Sequence, residues 1–142
     1  MTPAESSENK QLLQQAFAAL ANGDSRPFVE CLADDVVWTI IGTTSWSGTY
    51  RDKPAVLAEL LAPLGARIAG RYRVGAHRFI AEDDLVVVEA RGNNTTRGGQ
   101  PYDNSYCWVC RLAGGKVREL TEYADTALVN TALGDRLGDS PG

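Results

Sequence analysis

The chain has 142 residues, 44% of them hydrophobic and 23% charged, the proportions of one globular domain rather than of a disordered chain or a coiled coil. Its 14 Lys and Arg stand against 18 Asp and Glu, and the formal charge of −4 removes the electrostatic basis for binding nucleic acid or an anionic membrane surface. The longest aliphatic run, Leu85-Val86-Val87-Val88, falls far short of the roughly 20 residues of a bilayer span, and the opening MTPAESSENKQ has neither the basic nor the apolar region of a signal peptide, so a cytoplasmic location is expected.

Leu12, Leu13, Ala16, Phe17 and Leu20 recur at helical spacing and predict an amphipathic helix over residues 8–21, closed by Asn22-Gly23. A short second helix follows, capped by Asp24 or Ser25, with Pro27 early and Phe28, Val29 and Leu32 turned inward. Residues 36–41 are β-rich, residues 42–50 read as a loop, and Asp52 caps a third helix running to Leu61 and broken at Pro63. From Arg67 the period changes to two: Ile68, Tyr72 and Val74 alternate with Arg67, Arg71 and Arg73, as in a half-exposed antiparallel strand. Further strands are predicted over residues 85–93, 102–112 and 117–124, the last two joined by a hairpin at Ala113-Gly114-Gly115. A short helix over residues 125–133 closes at Gly134. Residues 1–134 thus form one domain and residues 135–142 a loose tail. The class is α+β, with helices packed on one face of a curved antiparallel sheet.

Cys107-Trp108-Val109-Cys110 spells C-x-x-C, but residues three apart on a strand point to opposite faces. With one other cysteine, Cys31, and one histidine, His77, a structural zinc is excluded, and no phosphate- or dinucleotide-binding motif is present. No metal or cofactor is expected.

The stretches Ala21-Asn22-Gly23-Asp24, Leu32-Ala33-Asp34-Asp35-Val36, Ser47-Gly48-Thr49-Tyr50-Arg51-Asp52, and Gly115-Lys116-Val117 leading to Glu122-Tyr123-Ala124-Asp125, taken with the element order, resemble the NTF2-like superfamily, in particular its SnoaL-like and ketosteroid-isomerase-like branch. The resemblance implies a cone in which three N-terminal helices roof a cavity lined by the sheet, and a homodimer formed through the outer sheet face. The isomerases' general base aligns with Ile40, their oxyanion-hole acid with Cys107 and their helical tyrosine with Ala16, so that constellation is lost. Similarity to the limonene-epoxide-hydrolase-like branch instead maps its charged trio onto Arg91, Asn93 and Glu122. Asparagine replaces a proton-donating carboxylate there and cannot deliver a proton at neutral pH.

The catalytic candidates are therefore Glu122 as base, Arg91 as its orienter and anion stabiliser, and Asn93 as a hydrogen-bonding partner. Trp38, Ile40, Ser105, Cys107 and Leu120 are the substrate-binding candidates. Tyr106 and Trp108 are read as core or interface, and His77 as structural. The expected activity is cofactor-independent acid/base chemistry on a hydrophobic, oxygenated small molecule: isomerisation, cyclisation or epoxide opening. The rival readings are a module that binds an apolar ligand without turning it over, and a dimerisation domain whose cone is filled by side chains.

Overall fold

The computed structural model describes residues 2–138. Helix α1 (Pro3–Ala21) starts well before residue 8: its first turns are polar, and what begins it is the Thr2 hydroxyl, which accepts the Glu5 N–H at 3.1 Å, with proline in the first turn. Its buried stripe is Leu13, Ala16, Phe17 and Leu20, and Gly23 leaves it at φ +83°. Helix α2 (Arg26–Cys31) runs directly into strand β1 (Leu32–Ile40). Part of the expected loop forms a further strand, β2 (Gly48–Arg51), antiparallel to β1; only Tyr50 of its four residues is buried, too little pattern to mark a strand.

The third helix is continuous but changes pitch: α3 (Lys53–Ala55), a π-helical stretch Val56–Leu61, then α4 (Ala62–Arg67). Asp52 caps it, its carboxylate accepting the Ala55 N–H at 2.9 Å. Pro63 does not end it. The missing N–H would leave the Glu59 carbonyl free, and Arg136 Nη1 donates to that oxygen at 2.9 Å.

Strands β3 (Val74–Glu82), β4 (Leu85–Gly92), β5 (Ser105–Ala113) and β6 (Lys116–Ala124) form a meander, and α5 (Thr126–Leu128) with the π-helical turn Val129–Leu133 closes the chain at Gly134. The sheet order is β2-β1-β6-β5-β4-β3, antiparallel throughout except that β1 and β6 run parallel. The alternation expected from Arg67 holds without a strand: Ile68, Tyr72 and Val74 turn in and Arg71 and Arg73 out, while regular pairing begins only at Val74. Arg67 itself is buried. Its guanidinium donates to the carbonyls of Leu133 (3.2 Å), Asp135 (2.6 Å) and Gly138 (2.6 Å), so residues 135–138 of the expected tail are held against the domain; residues 139–142 lie outside the described residues.

Two bulges decide which side chains face the helices. In β3, Ala76 pairs with Ala90 and Arg78 with Glu89, leaving His77 as an extra, exposed residue. In β6, Val117 pairs with Leu112 and Glu119 with Arg111, leaving Arg118 extra. Past that bulge the inward positions of β6 change from odd to even. Among the described residues no helix is long and apolar enough to cross a membrane.

Candidate functional site

Between the concave sheet face and the helices lies a cavity walled by Phe17, Phe28, Trp38, Trp46, Leu60 and Trp108, with Val129 and Leu133 of the last π turn behind them. It has about 80 Å³ of free space, below the roughly 300 Å³ of a drug-sized site. Both π-helical segments contribute to its wall, a common placing for such segments at functional sites.

Glu122 is the one carboxylate among the lining residues. It stands in the middle of the sheet, opposite Trp108 on β5 and beside Ile40 on β1. Trp108 Nε1 donates to Glu122 Oε1 at 2.8 Å. Trp38 also lowers the pKa of the carboxyl, yet its contact falls short of hydrogen-bond geometry and its indole N–H is buried without a partner. Burial outweighs both indoles and pushes the Glu122 carboxyl up from 4.5 to about 7.

Above the carboxyl sit three phenols. Tyr72 donates to the Tyr106 hydroxyl at 2.8 Å, and Tyr102 accepts from Asn104 Nδ2 at 3.2 Å. Burial raises the pKa of all three, and the charge of Glu122 adds to the effect, so they remain hydrogen-bond donors. Asn104 is fully buried and fixed by two bonds to the Asp125 main chain, Nδ2 to O at 3.2 Å and N to Oδ1 at 3.0 Å. The ring of Tyr106 stacks on that of Trp108, centroids 4.4 Å apart, which holds both in place.

The SnoaL-like domain family matches residues 13–120, about three-quarters of the chain. The chain belongs to this family. An uncharacterised protein of Mycobacterium tuberculosis is 29% identical over 117 residues, 82% of this chain and 88% of that one. Among solved structures, an NTF2-like protein of unknown function from Burkholderia pseudomallei superposes with a TM-score of 0.75 at 23% identity, over 87% of this chain and 95% of the other. Bal32a, from a soil-derived mobile gene cassette, gives 0.76 at 22% identity over 90% and 98%. TerC, co-crystallised with polyporic acid, gives 0.73 at 20% identity over 87% and 96%. These likenesses establish the NTF2-like α+β cone.

Within this SnoaL-like cone the expected site residues divide. Glu122, Trp38 and Ile40 line the cavity, and Leu120 lies beneath it in the core. Arg91, Asn93, Ser105 and Cys107 do not reach it. The unbroken register Val88–Trp108–Glu122 puts the even residues of β4 and β5 inside with Glu122; Arg91 pairs with Ser105, and Glu89 with Cys107, on the opposite face. An ion pair between Arg91 and Glu122 is therefore ruled out, and the trio Arg91, Asn93, Glu122 is not assembled. Asn93 is exposed. Its neighbour Asn94 is the buried one, bonded to Arg73 N (2.8 Å) and Arg73 O (2.9 Å) like a strand partner.

Tyr72, Tyr102 and Asn104 were not singled out as site residues in the sequence, and Tyr106 and Trp108 were read as core or interface. The signal for the last two was the alternation itself: from residue 103 to 112 Asp103, Ser105 and Arg111 stand at odd positions, while Tyr106, Trp108, Cys110 and Leu112 make an apolar even set. Cys107 and Cys110 stand on opposite faces, and burial pushes the Cys110 thiol up to about 12. Among the described residues no group of three or more His, Cys, Asp or Glu could hold a metal ion.

Proposed function

We propose that the protein is a cofactor-independent acid/base enzyme in which Glu122 moves a proton on a small, oxygenated, mostly apolar substrate. One observation carries this reading: a single carboxyl in an apolar cavity, oriented by an indole N–H and poised by burial at about 7. A group of that pKa is present as both base and acid near neutral pH, so it can take a proton from carbon as the carboxylate and return it as the acid. It can therefore remove a proton next to a carbonyl and replace it elsewhere, with no net change in the protein. Tyr106, which accepts from Tyr72, and Tyr102, which accepts from Asn104, supply donors to the oxygen on which negative charge develops. Isomerisation, or a cyclisation begun by the same proton removal, fits this set better than epoxide hydrolysis, because no second charged group stands beside Glu122. A protein of this fold co-crystallised with polyporic acid supports a small-molecule role.

Glu122→Gln keeps an acceptor for Trp108 and removes the base. Turnover of a carbonyl substrate should fall by about 10²-fold or more with the fold intact, and its rise with pH through about 7 should vanish. Unchanged turnover in this variant rejects Glu122 as base. The small free volume favours the reading as a dimerisation domain whose cone is filled by side chains; no saturable binding of any small ligand would select that reading, and saturable binding with no product, in wild type and variant alike, would select a binding module.

We also propose that the protein is a homodimer through the outer sheet face. Support comes from half-buried Val37, Val87 and Val109 and exposed Tyr123, set among the charge pairs Arg111–Glu119 and Arg78–Glu89.

A further inference from the structure

A second, wider space lies beside the cavity, an open vestibule of about 660 Å³, and Ser25, Leu61, Leu64 and Tyr72 line both. The two spaces differ in character: the inner chamber is apolar and holds about 80 Å³, while the vestibule is bordered by Asp24, Arg26 and Arg71. Arg73 stands on the same rim; a Cβ on Gly23 would lie 3.0 Å from Arg71 Cβ and 3.4 Å from the Arg73 guanidinium carbon. Arg26 is paired with Asp24 at 3.1 Å, whereas Arg71 and Arg73 form no ion pair among the described residues. The rim is thus locally cationic on a chain of net charge −4.

We infer that the ligand is a two-part molecule: a compact apolar, carbonyl-bearing head seated in the chamber, and a carboxylate tail held at the mouth by Arg71 with Arg73. The chamber is too small for a whole drug-sized ligand, so the rest of the molecule must lie in the vestibule, where a carboxylate meets the guanidinium of Arg71, whose acidic neighbour Asp24 is itself paired with Arg26. The Tyr72 ring lies between the two spaces and its hydroxyl faces the head. The segment is rigid where it must be, because Asn94 clamps both polar atoms of the Arg73 main chain. This inference rests on the proposal that the cavity takes a small molecule, and it deepens that proposal by naming the substrate class.

The test uses levulinate and its longer methyl-ketone homologues against their methyl esters. Binding is read from tryptophan fluorescence, since Trp38, Trp46 and Trp108, the three tryptophans of the chain, all line the chamber. Measured in the Glu122→Gln protein, where no turnover interferes, the best acid should bind about tenfold or more tighter than its ester, as one charge-assisted contact of about 1.4 kcal/mol gives. That ratio should shrink with added salt, drop in Arg71→Ala and fall to about one when Arg71→Ala and Arg73→Ala are combined. Equal affinity of acid and ester, a ratio that survives the double substitution, or no saturable quenching by any of the acids each overturns the inference. A ratio of one beside a turnover that needs Glu122 removes the tail alone. A tenfold ratio beside a Glu122→Gln protein that still turns over removes the base alone.

Discussion

Glu122 ties stability to chemistry. Its carboxyl is neutral in both folded and unfolded chains below about pH 4.5, so its favourable contribution is complete there. As pH rises towards 7 the unfolded chain ionises first, and the folded protein loses about 3 kcal/mol, at 1.36 kcal/mol for each unit of the shift. Above 7 the loss is constant. Urea unfolding across pH 4 to 8 should show this decline in the wild type and not in Glu122→Gln, which should be the more stable protein at pH 8. Equal slopes in the two would place the carboxyl in water. The sequence alone already singles out Glu122, which the fold places in the cavity wall. Its partner was not legible: Arg91 was joined to it by resemblance, whereas the charge of Arg91 belongs to a solvated face. The real partner, the Trp108 N–H, is a donor on a residue that sequence reading treats as core filler.

Irregularities within elements aim the site. Val117 faces inward, and an unbroken β6 would turn Thr121 and Tyr123 in and Glu122 out; the extra residue Arg118 reverses this. A bulge leaves little trace in one sequence, because it shows only as a fault in alternation, and here that fault lies among charged residues. The helices were more legible because caps are chemical: Asp52, Asn22-Gly23 and Gly134 all stand where expected. The role of Arg67 was not, since an arginine in an alternating segment reads as exposed. Its bonds go to carbonyls from Leu133 onward, and its guanidinium lies 5.5 Å over the Trp46 ring. Arg67→Ala leaves buried carbonyls without donors and should cost about 3 kcal/mol or more in chemical unfolding. Arg67→Lys, a point donor on a flexible stem, should recover only part of that. A loss near zero would show that the last turn holds itself.

For the whole molecule, α+β order, strand count after Arg67 and family could all be read from sequence. The inside and outside of the sheet could not, because both faces carry apolar residues. The outer face, proposed above to meet a second copy of the chain, is the source of that ambiguity: it carries half-buried Val87 and Val109 and exposed Tyr123. Light scattering should give the mass of two chains at micromolar concentration. Val109→Glu should give one, with the Trp108–Glu122 contact, and hence ligand quenching of fluorescence, preserved. A wild-type monomer would reject the dimer.

The parallel pairing of β1 with β6 sets the order of events at birth. β1 leaves the ribosome well before β6, with β2 to β5 between them, yet the two lie side by side in the sheet. A nascent chain can form α1 and the β3–β4–β5 meander, but it has no floor for the chamber until β6 emerges and no back wall until Leu133 follows. Folding is therefore dominated by distant contacts, which makes it slow for a domain of this length. Until then the apolar faces of β1 and β5 stand open to chaperones, and the carboxyl that would do the chemistry has not yet entered the fold.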